Sequence, residues 1–224
     1  PCHHVHTFNM DEYADENGNT APADHPGGFQ YWMWRDLFNR IKPELAIPHE
    51  QIHFPSTANI RDYSKMMEDM GGADACYGGC GWNGHIAFYE PHIGARFGDD
   101  MDAFMKEGAQ IVDLNPLTIA QNSLSCDAGA SGAWHRVPPK AATIGPRDLV
   151  GSKVNKCYHW FAYGDVSWQR FITRLMVHGP VTPKVPGSIY QVIGADMWLS
   201  GAVAADIDTR EIAERRVSYL DIRE

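Results

Sequence analysis

A histidine and a carboxylate stand five residues apart in a glycine-rich stretch, GCGWNGHIAFYEP (79–91). A histidine carries protons near neutral pH, and a nearby carboxylate can fix its tautomer and raise its pKa. His85 and Glu90 therefore suit acid–base catalysis, with Glu90 in the orienting role. The glycines allow positive φ angles and let the main chain approach a ligand, so we interpret the stretch as a functional loop.

A second pair of carboxylates, Asp11 and Glu12, follows the short segment HHVHTFNM (3–10). Its β-branched and aromatic residues predict a strand that delivers both carboxylates at its C-terminal end. Ligands of open parallel sheets bind outside the carboxyl ends of the strands, so we expect these carboxylates and the glycine loop to share one crevice. Asp11 is then a candidate base for moving a proton between neighbouring carbons next to a carbonyl, as in aldose–ketose isomerisation. The alternative is that Asp11 only caps the following helix.

Strands that alternate with helices must position these residues. Helical spacing of apolar residues predicts helices over 28–42 and 59–71, and a third one is marked by Trp168, Phe171, Ile172, Leu175 and Met176. Short apolar runs predict strands at 74–81, 110–114, 141–145, 156–163 and 197–204. Alternation of this kind is typical of parallel βαβ units, so the expected fold class is α/β with a mostly parallel sheet flanked by helices.

Composition excludes several classes of function. The 224 residues carry a formal net charge of -9, which argues against binding to nucleic acid through phosphates. No apolar run approaches the roughly 20 residues that a membrane span needs, so we expect no membrane partner. The five cysteines include no C-x-x-C pair, which indicates neither a disulfide framework nor a zinc site and fits the cytoplasm.

FNMDEY (8–13), DHP (24–26) and GWNGHIAFYEP (81–91) together resemble the glucosamine-6-phosphate deaminase family. The corresponding family stretches read FNMDEY, EHP and GxDGHIAFNEP. Weaker similarity extends through PKAATIG (139–145) and SIYQ (188–191), so the resemblance covers most of the chain. The related 6-phosphogluconolactonases share the GHxA core, but the two long motifs favour the deaminase branch.

The resemblance implies a modified Rossmann-like fold and a reaction without metal or other cofactor. The sugar ring opens, a proton moves between C2 and C1, and ammonia leaves as the 2-amino sugar phosphate becomes fructose 6-phosphate. By motif position, Asp11 resembles the base for the C2 and C1 protons, His85 the ring-opening acid and base, and Glu90 its orienting partner. The same correspondence assigns substrate binding to a further set of residues, which are Glu12, Asn83 and Gly84. The partner is then a small sugar phosphate; both a monomer and a homo-oligomer stay open.

The chain departs from the family pattern at several positions. The family has Asp where this chain has Asn83, and an amide adds no charge to the histidine. The expected phosphate-binding Arg and Lys correspond to Leu124 and Ser167, and their loss removes charge-assisted contacts to phosphate. The cations that could substitute for them are Arg96, Lys106, Arg136, Lys140 and Arg147.

We expect a single domain over 1–224 that lacks an N-terminal segment. The first βαβ unit of the family precedes FNMDEY, where this chain has seven residues. Removing a first strand and helix exposes a sheet face and an edge, so a missing segment is the simpler interpretation.

Other functions compete with the deaminase interpretation. His4 and His6 form an H-x-H pattern that metal-dependent hydrolases use, although no third ligand is obvious. A non-catalytic sugar-phosphate sensor would explain Asn83 and the lost cations, but retention of Asp11, His85 and Glu90 argues for turnover. A lactonase or isomerase that acts on a different sugar is the remaining alternative.

Overall fold

A computed structural model describes residues 1–124, 131–159 and 168–207 of the chain. The strands are β1 (Thr7–Phe8), β2 (Asp11–Ala14), β3 (Ile52–His53), β4 (Cys76–Gly79), β5 (Gln110–Asp113), β6 (Lys140–Thr143), β7 (Asn155–His159) and β8 (Asp196–Leu199). The helices are α1 (Phe29–Asp36), α2 (Tyr63–Asp69), α3 (Pro91–Gly94), α4 (Met101–Phe104), α5 (Pro116–Ser123), α6 (Pro146–Val150), α7 (Trp168–His178), α8 (Tyr190–Ile193) and α9 (Gly201–Ala204). Single 3-10 turns lie at Phe38–Arg40, Pro43–Leu45, His49–Gln51, Ala95–Phe97, Trp134–Arg136 and Pro186–Ile189. Among the helices of these three ranges, none is long and apolar enough to span a bilayer.

Two of the sheets are parallel, which confirms the α/β class. One has the strand order β4-β7-β8, and β1 pairs with β3 in the other. Strands β7 and β8 with α7 between them form a βαβ unit, because parallel neighbours need a crossover of this length. The predicted strand 156–163 is confirmed as far as His159, and residues 160–163 lie outside the described ranges.

The third sheet is the antiparallel part of a fold that the sequence predicted to be mostly parallel. Strand β6 lies between β2 and β5 and runs antiparallel to both. The apolar pattern that predicts a strand is the same in either direction, so sequence periodicity does not encode this reversal. The backbone N–H of Ile144 donates to the carbonyl oxygen of Met10 at 2.9 Å and extends the contact just before β2.

Some element boundaries differ from the prediction. The predicted strand 3–10 shrinks to β1, and the acidic residues expected after it lie inside β2. The end of the predicted strand 197–204 is instead helix α9, because the Ser200 hydroxyl accepts from the Val203 N–H at 3.3 Å and caps a helix. Helix α1 ends at Asp36, before a 3-10 turn completes the predicted range 28–42.

The core joins β2, β6 and the segment after β4. Its largest fully buried apolar side chains include Tyr13, Tyr63, Tyr89, Phe104, Ile86, Ile93, Leu149, Met176 and Ile189. Tyr13 stacks on Phe29 at a ring distance of 4.7 Å and lies 6.1 Å from Phe88. This aromatic contact holds β2 and α1 against the loop that carries the candidate histidine.

Candidate active site

A tight turn sets the relative positions of His85 and Glu90. The Tyr89 N–H donates to the Ile86 carbonyl at 2.8 Å, which closes the turn between them. Ala87 inside this turn has φ of +48°, a backbone conformation that L side chains rarely adopt. Such strain costs on the order of 1–3 kcal/mol and is concentrated at functional sites.

The ring of His85 is held from several sides and is 7% exposed. Its Nδ1 lies 3.2 Å from Thr118 Oγ1 on α5 and 3.4 Å from Glu90 Oε1. The Phe88 ring packs against it edge-on at 5.8 Å. A Cβ added to Gly81 would lie 2.2 Å from His85 Cε1, so only glycine leaves room for the ring.

Glu90 is completely buried beside His85. The backbone N–H of Asn115 donates to Glu90 Oε2 in a short hydrogen bond. The Nδ1 atom of His92 lies 3.6 Å from the same oxygen, while Oε1 faces His85 without a hydrogen bond. The Asn115 amide therefore fixes one carboxylate oxygen of Glu90 and leaves the other directed at the His85 ring.

Asp11 starts β2 and pairs in register with Thr143 of β6. The pKa of its carboxyl group is raised to about 7, chiefly by burial and to a lesser extent by the negative charges of Glu12 and Glu90. The nearby Thr143 hydroxyl and Phe88 amide oppose that rise in pKa. Asp11 therefore borders the turn of His85 and Glu90, and a pKa near neutrality suits a general base.

Glu12 points away from this group and caps helix α1. Its carboxylate accepts hydrogen bonds from the backbone N–H groups of Tyr13 at 2.8 Å, Phe29 at 3.0 Å and Gln30 at 2.8 Å. Burial raises its pKa, and these bonds to the charged form partly offset that effect. Glu12 therefore lies at the N-terminus of α1, where the helix dipole favours a negative charge, and not at the ring of His85.

The other two residues assigned to substrate binding shape the loop. Asn83 Oδ1 accepts from the His85 N–H at 3.1 Å, and Asn83 Nδ2 donates to Thr118 Oγ1 at 3.2 Å. Gly84 has φ of +81°, and a Cβ there would lie 3.0 Å from Ile172 Cδ1 on α7. Gly84 therefore contacts the core, and Asn83 contacts both the backbone of His85 and the Thr118 hydroxyl.

The proposed phosphate cations are distributed over the surface. Lys140 is paired with Asp113, and Arg147 with Glu68. Leu124 is 41% exposed beyond the end of α5, and Ser167 lies outside the described residues. The remaining candidates, Arg96, Lys106 and Arg136, are exposed.

The H-x-H pattern does not form one face of a strand, because residues 3 and 4 lie in a turn before β1. His6 instead stacks on His53 at a ring distance of 5.7 Å. Within 1–124, 131–159 and 168–207, no group of three or more His, Cys, Asp or Glu side chains could hold a metal ion.

Two surface cavities lie away from the group of Asp11, His85 and Glu90. One of about 300 Å³ is lined mostly by apolar side chains, among them Trp34 and Phe38, with His49 as its titratable member. Another of about 310 Å³ lies between α2 and α6 and is lined by Glu68, Arg147 and Asp148 among others.

Some residues of the site carried no clear sequence signal. Thr118 and Thr143 contact His85 and Asp11 respectively, but a threonine inside a helix or strand is ordinary on its own. Thr143 does fall within PKAATIG (139–145), which the family resemblance included. A single glycine such as Gly81 could not be distinguished from its neighbours without the position of the ring.

Comparison with curated proteins yields relatives that share one name. A glucosamine-6-phosphate deaminase of Lachnoclostridium phytofermentans is 30% identical over 83% of this chain and 69% of its own length. One from Clostridium botulinum (strain Loch Maree / Type A3) is 30% identical over 84% of this chain and 68% of its own length. A third, from Phocaeicola vulgatus, is 32% identical over 66% of this chain, and the matched region spans half of that relative, at 50%. No family model matches the sequence.

Solved structures support the same fold. A monomeric glucosamine-6-phosphate deaminase superposes with a TM-score of 0.70 at 22% identity and covers 89% of this chain and 74% of its own. The 6-phosphogluconolactonase of Thermotoga maritima gives a TM-score of 0.55 at 16% identity over 89% of this chain and 73% of its own. At these identities the likeness concerns the fold alone.

Proposed function

Because this chain belongs to the glucosamine-6-phosphate deaminase family, we propose that it converts an amino-sugar phosphate to the ketose phosphate with release of ammonia. The observation that carries the proposal is the position of Asp11. Its carboxyl group, with a pKa raised to about 7, borders the strained turn between His85 and Glu90. Isomerisation next to a carbonyl needs a base that ionises near neutral pH. Here such a base lies beside a histidine and a second carboxylate.

In this mechanism Asp11 carries the carbon-bound proton. With the sugar open, the Asp11 carboxylate takes the proton from C2. The electron pair of that bond forms the C1–C2 double bond, while the π pair of the C1 carbonyl moves to its oxygen, which takes a proton from solvent, and an enolamine results. The Asp11 carboxyl group then delivers a proton to C1, and the nitrogen lone pair forms the protonated imine at C2. Water adds to the imine, ammonia leaves, and the product is the 2-ketose phosphate, fructose 6-phosphate when the substrate is glucosamine 6-phosphate.

His85 moves protons at the sugar ring oxygen during opening. Its Nδ1 lies 3.4 Å from Glu90 Oε1, so the carboxylate stabilises the imidazolium whenever the ring is protonated. Glu90 in turn is fixed by the Asn115 N–H. Glu90 therefore acts through His85 and needs no direct contact with substrate.

Recognition of the phosphate group remains part of the proposal. Lys140 and Arg147 are engaged by acidic partners, so we assign the phosphate to the exposed candidates Arg96, Lys106 and Arg136. Arg136 is favoured among them, because its turn follows Gly132, whose N–H donates to the Ser123 carbonyl at the end of α5. That helix also carries Thr118 of the His85 site.

We place the reaction in the cytoplasm. In the described part of the chain Cys2, Cys76, Cys80 and Cys157 are all unpaired, which fits a reducing compartment. The oligomeric state does not enter the mechanism, because Asp11, His85 and Glu90 come from one chain.

Ammonia release from glucosamine 6-phosphate by the full chain tests the proposal, with unphosphorylated glucosamine and a His85→Ala variant measured beside it. We expect release from the phosphorylated sugar that is lost in the variant. Release from both sugars would support the deaminase reaction and contradict only the requirement for a phosphate group. Binding without release from either sugar would instead favour a sensor, and hydrolysis of a sugar lactone would favour the lactonase alternative.

A further inference from the structure

The orientation of the Asn83 amide is fixed by its surroundings. Its oxygen must face the backbone N–H of His85, 3.1 Å away, because the amide nitrogen of Asn83 cannot accept a hydrogen bond. The NH₂ group therefore faces Thr118 and donates to Oγ1 at 3.2 Å. The ambiguity that usually attends asparagine side chains does not arise here.

This donor determines the direction of the next hydrogen bond. Thr118 is 1% exposed, and its Oγ1 already accepts from Asn83. A hydroxyl has one hydrogen to give, and the other contact described for this oxygen is Nδ1 of His85 at 3.2 Å. The hydroxyl hydrogen has no other acceptor among the described contacts, so directing it to Nδ1 gives a chain of bonds that runs from Asn83 to Thr118 and on to His85.

We propose that Asn83 and Thr118 are positioning residues that hold neutral His85 as the tautomer with its proton on Nε2. The catalytic meaning of this tautomer rests on the proposed function, whereas the tautomer itself is a property of the resting protein. With Nε2 protonated, His85 meets a sugar oxygen as a hydrogen-bond donor. A neutral imidazole can polarise a substrate oxygen in this way without first becoming charged.

Glu90 acts in the opposite direction. Its Oε1 lies 3.4 Å from the same Nδ1 and favours a proton there, yet in this structure that oxygen has no hydrogen-bond partner. Nδ1 thus lies between a hydroxyl that donates and a carboxylate that accepts. Thr118 holds the neutral ring, and Glu90 holds the ring once it is protonated.

An aspartate at position 83 would reverse this chain of bonds. In Asn83→Asp the carboxylate still accepts from the backbone N–H of His85 but has no hydrogen to donate. The Thr118 hydroxyl would then donate to the carboxylate and present a lone pair to His85. Neutral His85 would move its proton to Nδ1, and Nε2 would become a base.

The test is long-range ¹H–¹⁵N NMR of the full chain labelled with ¹⁵N-histidine, without substrate, at a pH where the His85 signal shows the neutral ring. His85→Gln assigns the signal. We expect the ¹⁵N shift of a protonated nitrogen for Nε2 and of an unprotonated nitrogen for Nδ1. The two shifts should exchange in Asn83→Asp and in Thr118→Val, whereas Asn39→Asp, the same change at an exposed site, should leave them unchanged.

A protonated Nδ1 in the unaltered protein would overturn the proposal, as would a Thr118→Val variant that keeps the proton on Nε2. The first of these results needs no variant to fold. Because the measurement uses no substrate, failure of ammonia release leaves its outcome untouched, and the two proposals fail separately.

Discussion

Two buried histidines of this fold make the same contact in different surroundings. Nδ1 of His85 lies 3.2 Å from Thr118 Oγ1, and Nδ1 of His159 lies 2.5 Å from Thr173 Oγ1. The ring of His85 then adjoins Glu90, whereas Nε2 of His159 lies 3.0 Å from the thiol of Cys157.

The difference shows that a Thr contact alone does not decide what a histidine can do, because the other neighbours of the two rings differ. Burial lowers the pKa of His159 to about 4, so the ring stays neutral at physiological pH. Burial also raises the pKa of the Cys157 thiol to about 12, which rules out a thiolate nucleophile beside it. The His159 group is thus a satisfied polar contact inside the core, while Nδ1 of His85 lies 3.4 Å from the buried carboxylate of Glu90.

Removing the proposed base, Asp11, should have the largest effect on turnover and is the strictest test of the comparison between the two histidines. In Asp11→Asn the group that carries the C2 proton is lost, and we expect turnover to fall about 10³-fold, within the range of general acid–base catalysis. Exchange of the sugar C2 hydrogen with solvent deuterium, followed by NMR, measures this step. The counterpart on the other side, Cys157→Ala, should leave the exchange rate per folded molecule unchanged.

The stability of Asp11→Asn separates lost chemistry from lost structure. The folded pKa of about 7 exceeds the ordinary value of 3.8, so ionisation of Asp11 destabilises the fold as the pH rises through about 7. The amide should therefore keep or raise the melting temperature at pH 8. A variant that melts earlier and loses exchange in proportion would make Asp11 a structural residue.

Crowding the catalytic ring should have the next largest effect. In Gly81→Ala the new Cβ would lie 2.2 Å from His85 Cε1, so the ring must move. A displacement of about 1 Å costs up to about 10²-fold in rate, which kcat should show. Gly201→Ala is the control, because apart from its own chain neighbours and helix backbone no described residue lies within 4 Å of the added Cβ. Equal rates for the two variants would mean that the ring position does not matter.

The pH dependence of kcat/KM should reflect Asp11 and not His159. The base works when ionised, so a pKa of about 7 predicts a rate that falls about tenfold per pH unit below that value. His159, with a pKa near 4, does not titrate in this range. A profile that is flat between pH 5 and 8 would contradict the assignment of Asp11.

The smallest effect on activity should come from the His159 side itself. Thr173→Val removes the hydroxyl that His159 contacts and leaves a buried nitrogen unsatisfied, at a cost of about 1–3 kcal/mol in the free energy of unfolding. Urea denaturation measures this cost, and ammonia release per folded molecule should not change. A variant of normal stability that has lost activity would erase the distinction between the two histidines.

The sequence singled out the candidate residues of the site better than their supports. Asp11, His85 and Glu90 could be recognised because each lies in a motif long enough to be distinctive. Thr118 could not be predicted, because its contact with His85 depends on where α5 packs, which no local sequence pattern encodes.

Other features could not be predicted for reasons of geometry. Glu12 has the same residue type as a substrate ligand, and only the position of α1 shows that it caps a helix. The antiparallel direction of β5 and β6 is equally absent from their apolar runs. Gly84 carries positive φ, as the glycine-rich loop suggested, but its contact with Ile172 depends on the packing of α7.

Parallel replacement of the two histidines tests the central claim most directly. Ammonia release from glucosamine 6-phosphate is measured for the unaltered full chain, for His85→Gln and for His159→Gln, each normalised to the folded fraction from circular dichroism. We expect a loss of about 10²-fold or more for His85→Gln, as for removal of a general acid–base group, and normal release per folded molecule for His159→Gln. Normal release by His85→Gln, or a selective loss in His159→Gln, would contradict this expectation.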